Sequence, residues 1–294
     1  MTETRCPLPR MACIRQTFAR PRVDDMAAEM REQMQVLTPR IRPGMTVGLT
    51  VGSRGIQNIL TMLEVAVQAV RGCGASPVLL AAMGSHGGGT RQGQKDVLDS
   101  LGITEERLGA PVITCDVTRA IGETPGGLVA HMLESAFGVD AIIPINRVKL
   151  HTDFVDTIQS GMCKMLVIGL GNHKGCSAVH EEAPEVFADA IEETARLILQ
   201  KAPVGFGIAI LENAYDKTYA VEAVPAEHLV EREKELVQIA KGNMPYIMLD
   251  EADVIVCGAI GKDISGAGFD PNILGRSSVL KQFVLHIPRY QRLV

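Results

Sequence analysis

Thr46-Val47-Gly48-Leu49-Thr50-Val51, followed at once by Gly52-Ser53-Arg54-Gly55, reads as a short uncharged strand that breaks into a polar turn. Outward from it, short apolar runs alternate with longer amphipathic ones. The pattern predicts a helix over Gln57–Arg71, stopped at Gly72 and Gly74, then a strand over Pro77–Met83 and a helix over Arg91–Leu101 before Gly102. It further predicts a strand over Pro111–Val117, a helix over Leu128–Phe137 and a strand over Ala141–Val148. Helices follow over Ala183–Gln200 and Glu227–Lys241, with strands over Gly205–Leu211 and Asp253–Gly258. Near-continuous apolar strands are what a sheet covered on both faces produces. Strands alternating with helices in this way predict an α/β fold built on a mostly parallel, doubly wound sheet.

Composition excludes several classes. The chain has 294 residues, 46% of them hydrophobic and 21% charged, which argues against disorder. Its 29 Lys and Arg against 34 Asp and Glu give a net charge of −5, so it lacks the basic footprint of a nucleic-acid binder. Arginines at 5, 10, 15, 20 and 22 interrupt the first 22 residues, so no secretory signal is read there. No apolar run approaches the ~20 residues of a membrane span. The seven cysteines are never spaced C-x-x-C and sit among apolar neighbours, as reduced thiols of a cytoplasmic protein do. Met26, Met30 and Met34 form a stripe that would serve a homo-oligomer interface or the core.

In open α/β sheets, ligands bind beyond the carboxyl ends of the strands. The first strand delivers Gly52-Ser53-Arg54-Gly55 there, the second Gly84-Ser85-His86-Gly87-Gly88-Gly89-Thr90, and the fourth Asn146-Arg147-Val148-Lys149-Leu150-His151-Thr152-Asp153. Together they bring two arginines, a lysine and two histidines toward one crevice, an anion site with two general acid/base groups. Gly84–Gly89 suits a phosphate, because bare N–H groups before a helix attract anions, though a plain turn reads equally well. His86 stands among serine and glycines that cannot bury it, which favours a functional role. An imidazole titrates near neutrality, and a pair of them can exchange donor and acceptor roles, as a racemase or epimerase requires. Arginine grips a carboxylate with a two-pronged fork.

Ser160-Gly161-Met162-Cys163-Lys164-Met165-Leu166-Val167-Ile168-Gly169-Leu170-Gly171 embeds one lysine in apolar neighbours. Such an amine is costly unless paired, used, or snorkelling with its head in water. His173 and His180 follow, about 10 Å apart if helical, too far to share one metal. No zinc pattern is present, yet a single imidazole can complete a metal that a cofactor already holds.

These four blocks, G-S-R-G-I-Q-N, G-S-H-G-G-G-T, R-V-K-L-H-T-D-F and S-G-M-C-K-M-L with a histidine downstream, resemble the nickel-dependent lactate racemase family of 2-hydroxy-acid racemases and epimerases, over most of residues 7–276. The resemblance implies a nickel pincer nucleotide, a pyridinium mononucleotide whose sulfur groups grip nickel, tethered covalently at Lys164. It implies His180 as the protein's nickel ligand, with His173 ranked second. It implies His86 and His151 as the catalytic histidines and Arg54 as the arginine that engages the substrate. One histidine takes the hydroxyl proton while the C2 hydride moves to the cofactor; hydride then returns to either face of the planar keto acid. Lys149 is a further substrate-binding candidate, and Ser85, Gly87 and Gly88 are cofactor-binding candidates.

Two features depart from the family. Val51 stands where members often carry an acidic residue, and Gly261–Asp270 contains no Q-x-x-K. Lactate itself is therefore not favoured, and a larger or more polar 2-hydroxy acid, such as a sugar acid, is an equal alternative. Residues 1–245 are expected to form the catalytic α/β domain, and 246–294 the start of a second α/β domain cut short near Val294. The alternative is that Leu280–Val294 tucks into the sheet as a terminal strand. A small-molecule 2-hydroxy acid is the expected partner, without nucleic acid or membrane. The alternative function is a non-catalytic carboxylate- or phosphate-binding module, or an inactive fragment of the racemase.

Overall fold

The structure is a computed structural model that describes residues 11–152, 154–183, 186–249, 254–261, 264–265 and 268–274. In chain order the elements are α1 (Met26–Leu37), β1 (Thr46–Val51), α2 (Ile59–Gly72), β2 (Ser76–Ala81), α3 (Arg91–Ser100), α4 (Glu105–Leu108), β3 (Val112–Ile113), β4 (Thr118–Glu123), β5 (Val129–Leu133), β6 (Ala141–Ile143) and β7 (Ile145–Arg147). There follow α5 (Met162–Lys164), a π-helical turn (Met165–Gly169), α6 (Asn172–His180), α7 (Phe187–Lys201), β8 (Phe206–Glu212), β9 (Thr218–Pro225), α8 (Leu229–Gly242) and α9 (Pro271–Leu274).

The central strands run parallel in the order β3-β2-β1-β6. Pro144 has no N–H for a ladder and divides β6 from β7. The path nevertheless continues, because Ile145 N–H bonds to Thr50 Oγ1 at 3.0 Å and Pro144 C=O accepts from Ile208 N–H at 2.8 Å. Beyond the proline, β7 pairs parallel with β8, and β9 adds an antiparallel edge. Strand residues alternate between two cores. Val47, Leu49, Leu79, Ile208 and Ile210 pack with α1 and α2, whereas Leu80, Ile142, Ala209 and Leu211 pack with α7, α8 and the α5–α6 segment. Helices thus cover both faces, as the doubly wound pattern predicts.

Local chemistry sets the helix starts. Asp25 accepts Ala28 N–H at 2.9 Å to cap α1, and Thr90 Oγ1 accepts Gly93 N–H at 3.1 Å to cap α3. Met26, Met30 and Met34 are buried against the sheet; they are core. Among the described cysteines, 115, 163 and 176 are buried and 13 and 257 are exposed.

Three predictions from the pattern fail. The helix expected over Leu128–Phe137 is strand β5 followed by a 3₁₀ turn over Glu134–Phe137, and β5 pairs antiparallel with the unforeseen β4. The signal for this hairpin is Gly126-Gly127, with Gly127 at φ +87° in the connecting turn. The strand expected over Pro111–Val117 shrinks to Val112–Ile113. Gln94, fully buried, takes both backbone groups of Cys115 (2.9 and 2.8 Å) and substitutes for a neighbouring strand. Of the strand expected over 253–258, residue 253 lies outside the described residues, and 254–258 carry no strand. The final segment, 275–294, also lies outside them. No helix among the described residues is long and apolar enough to cross a membrane.

Candidate functional site

The chain winds outward from β1 through β2 to β3, then returns to place β6 on the other side of β1. Such a reversal opens a crevice at the strands' carboxyl ends. A cleft of about 420 Å³ lies there, within the range of small-molecule sites. Arg54 enters it from the end of β1, Ser85 and His86 from the end of β2, and Lys149 and His151 from the end of β7. Lys164 and His180 close it from the α5–α6 segment. The side chains at 86, 151 and 164, far apart in sequence, therefore line one cavity.

The α5–α6 segment reaches the strand ends because glycines let it. A Cβ on Gly169 would stand 2.9 Å from Ala82 C=O, and one on Gly84 would stand 3.0 Å from Ile168 Cγ2. Gly84 also has φ +59°, which glycine adopts freely. The π-helical turn begins at the residue after Lys164, with Leu170 N–H bonded to Met165 C=O at 3.0 Å. Such single π turns interrupt helices at functional sites in many proteins.

His151 is half-buried and tightly held. Its N–H bonds to Gln159 Oε1 at 2.7 Å, and its C=O accepts from Asn272 Nδ2, on α9, at 2.9 Å. Its ring packs on Phe154 at 4.4 Å between centroids, and Phe154 packs on Phe187, which in turn meets the His180 ring at 5.0 Å. Lys164 Nζ lies 2.5 Å from His151 Nε2. An ammonium has only protons to offer, so Nε2 accepts and the ring is neutral. Burial, then the charges of Lys164 and Lys149, push the imidazole pKa down to about 2.

His86 is exposed, its Nδ1 hydrogen-bonded to Ser53 Oγ. Arg54 and Lys149 also reach solvent from the cleft wall. Although its side chain is exposed, protein crowds the Lys149 amine. Burial, with the Arg147 and Arg54 charges, lowers its pKa. Arg147 forms an ion pair with the nearly buried Glu212. None of the described lining residues is acidic. The described lining is cationic.

His180 shares α6 with Cys176, whose thiol meets Ser85 Oγ at 3.8 Å. Burial pushes that thiol up, but hydrogen bonds from His180 and Ser85 outweigh it and lower its pKa. His173 lies outside the cleft lining, exposed and 3.3 Å from Ser177 Oγ. Gly87 and Gly88 also stand outside it. The Gly87 carbonyl folds back to accept Thr90 Oγ1 at 3.1 Å, directly over the first turn of α3.

Pattern reading missed the supports beneath these groups. Glu233, fully buried on α8, accepts Cys163 N–H at 2.9 Å and so caps the start of the Lys164 segment. A Cβ on Gly161 would fall 2.5 Å from its carboxyl carbon, and Asn146 Nδ2 bonds to Gly161 C=O at 2.7 Å. Burial raises the Glu233 pKa to about 7, against the lowering effect of the Cys163 and Met162 amides. Its position was legible: Leu229, Glu233, Leu236 and Ala240 share the buried stripe of α8.

Fold and cleft together define an α/β protein with a cationic, histidine-bearing site at a strand-order reversal. No family model and no curated protein matches the chain. Among solved structures, the lactate racemase apoprotein from Thermoanaerobacterium thermosaccharolyticum is similar in fold, with a TM-score of 0.56 at 12% identity. The match covers 71% of this chain and 54% of that one, so it spans about half the racemase's length. At this identity the likeness is one of fold.

Proposed function

We propose that the chain is an isomerase of the lactate racemase kind, inverting C2 of a 2-hydroxy acid with a nickel pincer nucleotide tethered at Lys164. The observation that carries this is the convergence of His86, His151, Arg54 and Lys164 on one cleft with no acidic side chain among its described lining residues. The fold likeness to a lactate racemase supports it independently.

The donor set fits the cofactor. Among the described residues no group of three or more His, Cys, Asp or Glu is placed to hold a metal. Of the cleft's described histidines and lysines, His180 and Lys164 both come from the α5–α6 segment, and one imidazole beside one amine would suit a metal carried mainly by an organic ligand. When bound, the nucleotide supplies an acceptor for the hydrogen at C2.

The chain's own residues do the rest. Arg54 binds and orients the substrate carboxylate. One histidine accepts the hydroxyl proton from oxygen, and the other returns a proton there, so that substrate and product differ only in configuration. In the unmodified chain burial, then the Lys164 ammonium at Nε2, keeps His151 a feeble base. A Lys164 that held the cofactor would no longer set an ammonium against the ring, which would leave His151 a better base. The cytoplasm is the proposed location.

The deciding experiment is a screen of 2-hydroxy acids for inversion by protein loaded with the cofactor, with His86→Ala and His151→Ala as controls. Inversion that either change abolishes supports the assignment. Ligand binding without inversion of any acid would favour an anion-binding module.

A further inference from the structure

Four Lys and Arg side chains are among the described residues that line the cleft, and they are not equivalent. Arg147 is already matched by Glu212. Lys164 lies against His151 and is the proposed tether. Arg54 and Lys149 remain: among the described residues neither side chain has a hydrogen bond or ion pair.

Lys149 is also built into the wall rather than draped over it. Its backbone pairs in both directions with Ser160, at 2.9 and 3.2 Å, and Val148 before it bonds to Ile210 at 2.8 Å. The charges felt at its amine are mostly of its own sign, from Arg147 and Arg54, with Asp270 and Glu212 as smaller opposing influences. Two unmatched like charges facing one cavity repel each other until anions enter. A simple 2-hydroxy monoacid supplies one negative charge, which Arg54 uses.

We infer that the substrate is a 2-hydroxy acid bearing a second anionic group, and that Lys149 recognises that group while Arg54 holds the carboxylate beside C2. This rests on the reaction proposed for the same cleft and names its substrate class. Lys149 is the specificity-determining residue. The second group is a carboxylate or a phosphate; both present oxygen anions to a primary ammonium.

The test is calorimetric titration of the full chain with malate, 3-phosphoglycerate, lactate and glycerate at one fixed ionic strength. At least one of malate and 3-phosphoglycerate, the acids with a second anionic group, is expected to bind roughly tenfold more tightly than its monoanionic counterpart. Lys149→Met is expected to erase that preference while lactate still binds, whereas Lys95→Met, on an exposed face of α3 outside the described cleft lining, leaves it intact. The malate arm against the phosphoglycerate arm tells carboxylate from phosphate. Equal binding of all four acids overturns the inference, as does a preference that survives Lys149→Met. So does a Lys149→Met protein that loses cofactor but still prefers the dianion, since Lys149 would then serve the nucleotide's phosphate. A Lys149-dependent preference without inversion of any acid would leave this inference standing and sink the reaction instead.

Discussion

Two of the cleft's imidazoles, His86 and His151, live in opposite surroundings. His86 sits on a glycine-rich loop, exposed, with Ser53 as its hydrogen-bond partner. His151 is wedged between Phe154 and Lys164, its backbone fixed by Gln159 and Asn272. One can exchange protons with solvent; the other is held neutral by burial and by cations. In the proposed reaction such unlike environments suit the two rings to unlike roles, with the Lys164 charge acting on His151 beside its burial.

The largest effects come from removing either ring. His86→Ala and His151→Ala are each expected to lower the rate of inversion by about 10²–10⁴, measured as kcat on the loaded enzyme. Equal turnover in both variants and wild type would dissolve the distinction between the two sites.

The scaffold under the His151 side comes next. Glu233 has a folded pKa near 7 against an ordinary 4.5, so the native state holds its proton more tightly than the unfolded chain does. Its contribution to stability is fully present below pH 4.5 and is lost as pH rises through 7, by about 3 kcal/mol. Glu233→Gln is expected to flatten that decline in a series of denaturant unfolding curves. Glu233→Ala, which leaves the Cys163 amide without its acceptor, should cost about 1–3 kcal/mol at low pH, and the cost should shrink as pH rises through 7. His151 contributes in the opposite sense, present above pH 6.5 and lost on acidification, so the comparison is variant against wild type at each pH.

A third effect is spectroscopic. In the unmodified chain the His151 ring is expected to stay neutral from pH 8 to pH 5 by NMR, and Lys164→Met to raise its pKa by about one unit or more. An unchanged titration would remove Lys164 as the controlling group. The smallest effect belongs to His86. Because its hydrogen bond to Ser53 is exposed, Ser53→Ala should lower turnover only about three- to tenfold, with no change at His151.

Much of the fold could be read because its central strands are apolar on both faces, and β1, β2 and β8 fall within a residue or two of the predicted runs. The hairpin β4–β5 was hidden because Val129–Leu133 is short and apolar, a pattern that helix and strand share. The polar groups at the strand ends were legible for the opposite reason. Loops carry polar residues at no structural need, so His86, Arg54 and Lys149 stood out. Gln159 and Asn272 did not, because a buried polar residue that serves a backbone group looks in sequence like one that faces water; Glu233 was betrayed only by its place in the apolar stripe of α8. Only coordinates reveal that Glu233 supports the Lys164 turn from behind.

The central assignment is the cofactor attached at Lys164, and intact-mass spectrometry with nickel analysis tests it most directly. The protein should be made in a host that loads a lactate racemase in parallel. One nickel per chain and a mass increment that maps to Lys164 and vanishes in Lys164→Met is the result the account predicts. An unmodified lysine and no nickel, beside a fully loaded control, would contradict it.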